Sequence, residues 1–420
     1  MTGELLQQVR VIDPISATDY FADVLIYDNY IQSVTHNINP IPNGIKICNA
    51  RGLILGTGLI DLCSHSGEPG FENRETLLSL HDAAIAGGFT RVAVLPDTSP
   101  VVDNPGIVVQ LKRIWEKIGV CSPQLHIWGA ISRGIGGEEM TELFDLLNAG
   151  VVGFTDNQPW KNLTMVRRLL EYLHPFNKPV AFWCCDRQLA GDGVIRDGYD
   201  AIRLGIPGSP PYSETVAITS LIELVAAIKT PVHIMYVSTE RSVQIISSAK
   251  EHGLPITAST TWMHLLLDTT TLESYNPSLN LGPPLGSSRD MMALRKGVRT
   301  GIIDAIAVNH TPYTYEEKAL PFAEAPPGAI GLELALPLLW ENLVATGEFT
   351  ALELWQALSS NPAYCLQQNP SVIAPQKKAE MVLFDPQSTW KVEAGNLHTL
   401  SCNTPWWNQE ITGKVLRTWC

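Results

Sequence analysis

Gly58-Leu59-Ile60-Asp61-Leu62-Cys63-Ser64-His65-Ser66-Gly67-Glu68-Pro69-Gly70-Phe71-Glu72 opens with a short, mostly apolar run and closes in a loop marked by glycine and proline. That is the sequence form of a buried strand delivering side chains to a loop. Cys63 and His65 stand two apart, so on an extended chain they point the same way. Seven further runs of this kind follow, at residues 91–95, 125–129, 151–154, 179–183, 232–237, 255–258 and 305–308, and helical segments alternate with them. Continuous apolar character suits parallel strands covered on both faces. Eight β-then-α units predict an α/β chain with a (β/α)8 TIM-type barrel. The strands are expected to end near Cys63, Leu95, Gly129, Phe154, Trp183, Val237, Ala258 and Val308. A doubly wound sheet is the rival, but no Gly-x-Gly-x-x-Gly follows any of these runs.

The two ends of the chain read differently. Residues 9–14 and 22–29 are β-branched runs closed by turn residues, and residues 379–386 and 413–419 repeat that style. The expected division is a small β domain from residues 1–52 plus 366–420, and a barrel from 53–365. No internal repeat or low-complexity stretch interrupts it.

Bulk properties narrow the function classes. The 420 residues are 45% hydrophobic and 17% charged, which fits a globular chain able to bury a large core. A formal charge of −13 argues against nucleic acid or an anionic membrane as partner. No apolar run is long enough to span a bilayer, and Met1-Thr2-Gly3-Glu4 has no signal-peptide pattern. Eight cysteines are too few for a disulfide scaffold, so the expectation is a cytoplasmic protein with reduced thiols. No Gly-x-Ser-x-Gly elbow or phosphate-binding loop is present.

The opening stretch resembles the first strand and loop of the dihydroorotases, members of the amidohydrolase superfamily. Further anchors are Ala86-Gly87-Gly88-Phe89-Thr90, Val237-Ser238-Thr239, Pro283-Pro284-Leu285, and Glu317-Lys318 followed by Ala325-Pro326-Pro327-Gly328. The resemblance spans nearly the whole chain. It implies a barrel of amidohydrolase type with a composite β domain. It also implies two zinc ions bridged by a carboxylated lysine, held by histidines and an aspartate, that activate a hydroxide for attack on an amide carbonyl.

The residues at those matching positions differ. The first histidine pair becomes Cys63 and His65. The bridging lysine becomes Thr155, the next histidine Trp183, the following one Tyr236, and the aspartate Asn309. On the substrate side the arginine becomes Gly67 and an asparagine becomes Asp97, while Asn-Pro-Pro-Leu-Arg becomes Gly282-Pro283-Pro284-Leu285-Gly286. His310 remains as a candidate substrate contact, and with Asp156 it offers an acid–base pair or a polar lining of the mouth.

These exchanges predict a catalytically inactive dihydroorotase-like chain with no bound cofactor. The resemblance implies a structural role for such a chain in pyrimidine biosynthesis, as a homodimer and as a partner of aspartate transcarbamoylase. One alternative is an active cyclic-amide hydrolase with a one-metal or metal-free site. Its zinc ligands would come from Cys63, His65, Cys184, Cys185 and Asp186, which offer thiolate, imidazole and carboxylate donors. Another is a small-ligand sensor. Trp406, Trp407 and Trp419 are expected to pack internally, with an interface role as the second reading.

Overall fold

The computed structural model describes residues 3–41, 44–119 and 122–420. Met1 and Thr2, named in the sequence reading, lie outside them. The chain starts as a sheet. β1 (Gly3–Asp13) pairs antiparallel with β2 (Thr18–Tyr27), and β2 turns into β3 (Tyr30–Thr35) through Asp28-Asn29. Both turn residues hold left-handed φ, 48° and 64°. Two such residues give the turn whose twist matches a hairpin, and Asp and Asn tolerate that backbone. β4 (Ile45–Asn49) and β5 (Ile54–Thr57) then lie parallel to β1.

The barrel follows. Its first five strands are β6 (Leu59–Ser64), β7 (Phe89–Val94), β8 (Gln124–Gly129), β9 (Gly153–Phe154) and β10 (Val180–Trp183). After a two-stranded excursion, β11 (Ile195–Arg196) with β12 (Gly208–Ser209), come β13 (Val232–Met235), β14 (Ile256–Thr261) and β15 (Ala305–Ala307). These eight barrel strands pair in chain order, all parallel. The ends meet where Ser64 bridges His310 and the His65 N–H donates to the His310 carbonyl at 2.8 Å. Asp61 sews the same seam. Its Oδ1 accepts the Val308 N–H at 2.7 Å and its Oδ2 accepts the Ser64 hydroxyl at 2.5 Å.

The nearly closed barrel is the expected class, and the open doubly wound sheet is excluded. β14 runs to Thr261, past the expected end at Ala258. The extra residues, Ser259-Thr260-Thr261, are buried hydroxyls rather than apolar side chains. Ser259 Oγ is 2.9 Å from the ring of His233, a pairing that makes a polar residue acceptable inside the barrel.

The chain then returns. β16 (Met381–Lys391) and β17 (Glu410–Trp419) complete the first sheet, whose order is β17-β16-β5-β1-β2-β3 with β4 beside β1. Its own core includes Leu6, Val24, Leu55, Met381 and Trp419. Buried polar contacts dock it on the barrel. Trp355 Nε1 donates to the Thr57 carbonyl at 3.1 Å, and Arg91 grips Glu380 with two nitrogens at 2.8 and 3.0 Å. At Gly56 an added Cβ would lie 1.9 Å from the Trp355 ring, so glycine is what lets the strand approach. No helix among the described residues is long and apolar enough to cross a membrane.

Two buried imidazoles make the fold sensitive to acid. Burial lowers His233 to about 3 and His264 to about 4, from the ordinary 6.5. Both stay neutral in the fold, while the unfolded chain charges them near 6.5. Below that value the unfolded state binds more protons, so stability that is complete at neutral pH drains away as pH falls toward 4. Each can contribute a slope of up to about 1.4 kcal/mol per pH unit. The urea midpoint is expected to fall steadily from about pH 6.5 to about pH 4.5. His264→Gln should make the fall shallower, and an unchanged slope in that variant would contradict the assignment.

Candidate active site at the barrel mouth

Strand ends on the loop-bearing face are where such barrels place their reactive groups. Cys63 lies in β6, Thr155 follows β9, Trp183 ends β10, Tyr236 follows β13 and Asn309 follows β15. Three of them form a sealed floor. Cys63, Thr155 and Tyr236 are 0%, 0% and 2% exposed. Tyr236 donates its hydroxyl to Asn157 Oδ1 at 2.9 Å, and the Trp183 ring meets it edge-on at 5.9 Å. Thr155 Oγ1 reaches Met235 Sδ at 3.5 Å and accepts the Asn157 N–H at 3.0 Å. Cys63 packs with Met235, Tyr236 and Trp128. Burial, reinforced by the Asp61 carboxylate, pushes its thiol well above the usual range. Burial, reinforced by Cys63, does the same to the Tyr236 phenol. A neutral thiol and phenol in an apolar packing are poor metal ligands and poor nucleophiles.

Tyr236, Asn157 and Asn309 all have left-handed φ, 57°, 50° and 53°. For a residue as bulky as tyrosine that backbone costs on the order of 1–3 kcal/mol, and such strain gathers at functional mouths. The strained framework is therefore present around a floor of buried side chains.

Above the floor the rim is more open. His65 Nδ1 donates to Asp97 Oδ2 at 2.6 Å, with both side chains partly exposed. Burial pulls the Asp97 carboxyl upward, but His65, and then Arg74, outweigh it and hold the group below the ordinary range. Arg74 is clamped on Glu317, Nε to Oε1 at 2.9 Å, and its guanidinium lies 4.3 Å from the Phe71 ring and 4.9 Å from the Tyr313 ring. Gly67 makes that loop possible. A Cβ there would sit 2.3 Å from the Glu75 carbonyl and 2.5 Å from the Phe71 carbonyl, so no side chain fits without moving backbone. Gly286 is hemmed in by Asp290 at 2.7 Å.

Other expected groups are placed elsewhere. His310 does not face a ligand space. Its Nδ1 accepts the Gly331 N–H at 3.1 Å, and its Nε2 lies 3.1 Å from the fully buried Glu75, which also takes the Thr399 hydroxyl. Asp156 accepts the Ile131 and Ser132 amides at 2.8 and 3.0 Å, apart from His310. Neither the acid–base pair nor a solvated polar lining is formed, because each side chain satisfies its own buried backbone.

The set Cys63, His65, Cys184, Cys185 and Asp186 is not assembled either. Asp186 caps the short helix Arg187–Ala190, and Cys184 is buried with its thiol 3.9 Å from the Phe182 carbonyl. Among the described residues no three His, Cys, Asp or Glu side chains are grouped to hold a metal ion. Trp183, Cys185 and Gly282, with Arg187, Ser209 and Asn280, instead line a cavity of about 540 Å³ beside the mouth. Trp406 stacks on Trp262 with ring centres 5.0 Å apart, and Trp419 is buried, so both pack internally. Trp407 is partly buried against the main core.

The roles of Arg74, Glu75 and Tyr313 were missed in the sequence. Arg74 and Glu75 stand just beyond the opening stretch, but their partners lie 243 and 235 residues away. A charged pair inside an otherwise tight glycine loop was the available signal.

Comparison with known proteins agrees with this architecture. The dihydro-orotase-like family model matches residues 52–242, and the amidohydrolase family model matches residues 190–420. The chain is 41% identical to a "probable dihydroorotase-like protein" of Synechocystis, over 99% of each chain. It is 35% identical to a dihydroorotase of Pelobacter propionicus, over 99% of this chain and 97% of that one. Among solved structures, the L-hydantoinase of Arthrobacter aurescens superposes with a TM-score of 0.85 at 18% identity, covering 99% of this chain and 94% of that one. The dihydropyrimidinase of Brevibacillus agri gives 0.80 at 19% identity, covering 99% and 93%. At these identities the two structures speak for the fold alone. On the sequence relatives and the family models, this chain belongs to the dihydroorotase-like branch of the amidohydrolase family.

Proposed function

We propose that this chain is a non-catalytic dihydroorotase-like protein that serves as a structural partner of aspartate transcarbamoylase. The observation that carries the first half is the sealed floor. At the positions the family resemblance assigns to metal ligands stand Cys63, Thr155, Trp183, Tyr236 and Asn309, and three of the five are buried in contacts with one another's neighbours. Threonine cannot form the bridging carbamate, and an indole offers no lone pair to a cation. The donor set does not fit two divalent ions. On the substrate side, Gly67, Gly282 and Gly286 carry no cation, and Asp97 adds a carboxylate. A like charge at that point opposes an anionic substrate.

Restoring Asn309→Asp alone is expected to leave dihydroorotate turnover at background, because ligands that act as a unit are not additive. Recovery of zinc-dependent turnover by that one change would contradict the reading. The partner half rests on the resemblance, and a homodimer is the expected first step of assembly. Co-expression with the same organism's transcarbamoylase should give a joint species by size-exclusion with mass determination. Separate elution at micromolar concentration, with transcarbamoylase activity unchanged, would remove it.

A further inference from the structure

In the cavity of about 540 Å³ beside the mouth, two opposite charges border one apolar space. Its walls include Pro159, Trp183, Pro284 and Pro327, and Arg187 and Asp192 line it with them. A concave, mostly apolar space with a few polar groups is the usual form of a small-molecule site, and this volume lies within the usual range. The two charges stand on one short segment. Arg187 opens the helix Arg187–Ala190, and Asp192 follows it in Gly191-Asp192-Gly193. Backbone bonds hold that segment. The Gly191 N–H donates to the Arg187 carbonyl at 3.0 Å, the Gly193 N–H to the Ala190 carbonyl at 3.2 Å, and the Val194 N–H to the Pro207 carbonyl at 3.0 Å. A Cβ at Gly193 would lie 2.4 Å from the Ser209 nitrogen, so glycine is what seats the turn against β12. Among the described residues the Arg187 guanidinium makes a single hydrogen bond, Nη2 to Gln158 Oε1 at 3.1 Å. The Asp192 carboxylate makes none, and neither group is in an ion pair. The two charges therefore do not neutralise each other.

We propose that this cavity binds a free amino acid with an aromatic side chain. Arg187 takes the carboxylate, which a guanidinium fork can hold by two parallel bonds. Asp192 takes the ammonium through a charge-assisted hydrogen bond. The side chain lies against Trp183 and the prolines, where apolar burial and ring contact supply affinity. A ligand with one charge only leaves the opposite charge of the cavity unanswered, and that difference makes the site selective for a zwitterion. Neither Arg187 nor Asp192 stands at a metal-ligand position of the barrel, so the inference does not depend on the chain being non-catalytic.

The test is calorimetric titration of the full-length protein with L-phenylalanine. Three partial ligands serve as controls: phenylacetate lacks the ammonium, phenethylamine lacks the carboxylate, and glycine lacks the ring. The expected result is saturable one-to-one binding of L-phenylalanine with Kd of about 1 mM or tighter. Each control should bind at least about tenfold more weakly, the effect of losing one charged hydrogen bond or the buried ring. Arg187→Gln and Asp192→Asn should each weaken L-phenylalanine by about tenfold. Arg187→Gln should also erase its advantage over phenethylamine, and Asp192→Asn its advantage over phenylacetate. These two patterns separate a direct contact from a general loss of shape, and a near-ultraviolet spectrum matching the parent shows that each variant is folded. No saturable binding of L-phenylalanine up to about 10 mM would overturn the proposal. So would a control that binds as tightly as L-phenylalanine, or an unchanged affinity in either variant.

Discussion

Glu214→Ala is expected to destabilise the protein by about 3–5 kcal/mol, the range for removing one member of a buried ion pair. Arg196 and Glu214 have side chains 5% and 4% exposed, with Nη2 and Oε2 2.8 Å apart. Glu214 does more than pair with the arginine. Its Oε1 accepts the Ser238 and Thr239 amides at 3.0 and 3.2 Å, and its Oε2 takes the Ser238 hydroxyl. It therefore ties the two-stranded excursion after β10 to the turn after β13, two parts of the rim that share no backbone pairing. The Arg196 Nε is already without a partner, so removing Glu214 leaves a buried guanidinium with only Ser238 to answer it. The paired change Glu214→Leu with Arg196→Met should cost less than Glu214→Ala alone, because it removes both charges together. Denaturant unfolding of the three proteins checks this. A double variant as unstable as the single one would show that shape rather than charge pairing governs the site.

The second large effect is expected at the junction of sheet and barrel. Glu380 precedes β16 and is gripped by Arg91 of β7 through two nitrogens, with Thr90 Oγ1 adding a bond at 3.0 Å. The side chains are 8% and 12% exposed. Arg91 also donates to Gln368 and to the Asn369 carbonyl, so one guanidinium ties its own strand to two other segments of chain. Glu380→Ala is expected to cost about 3 kcal/mol, at the low end of the range because the remaining acceptors keep part of the cation satisfied. The loss should appear first where the terminal sheet meets the barrel, as faster amide exchange in β16 and β5, which pair with each other. Uniformly faster exchange across the barrel strands, with β16 no faster than the rest, would contradict a local clamp.

The parts of the fold that could be read from sequence are those where burial leaves a one-dimensional trace. Parallel strands covered on both faces must be apolar throughout, so β6, β7 and β10 stand out as runs. β14 was read short because Ser259-Thr260-Thr261 are polar yet buried: Ser259 meets the His233 ring and Thr261 caps the following helix by accepting the His264 N–H. The composite sheet was legible because β1 and β17 share β-branched patterning, although pairing between distant strands leaves no local mark.

The mouth was harder. Residue identities at Cys63, Thr155 and Tyr236 could be read directly, but not that they close over one another. That depends on the left-handed backbone at Tyr236 and on the ring of Trp183. His310 was read as a candidate substrate contact, yet successive residues at a strand end point to opposite sides. Its side chain turns to Glu75, which no spacing rule links to it. Asp97 could be read as an added carboxylate, and only the fold places it on His65.

On the proposed reading, the barrel is kept while metal-dependent hydrolysis is not. The direct measurement is dihydroorotate hydrolysis by the purified full-length protein, in both directions of the reaction, with metal content determined on the same sample before and after incubation with zinc. The expected result is no turnover above background and no stoichiometric zinc, with His65→Ala indistinguishable from the parent. Turnover accompanied by bound zinc, both abolished by His65→Ala, would contradict it.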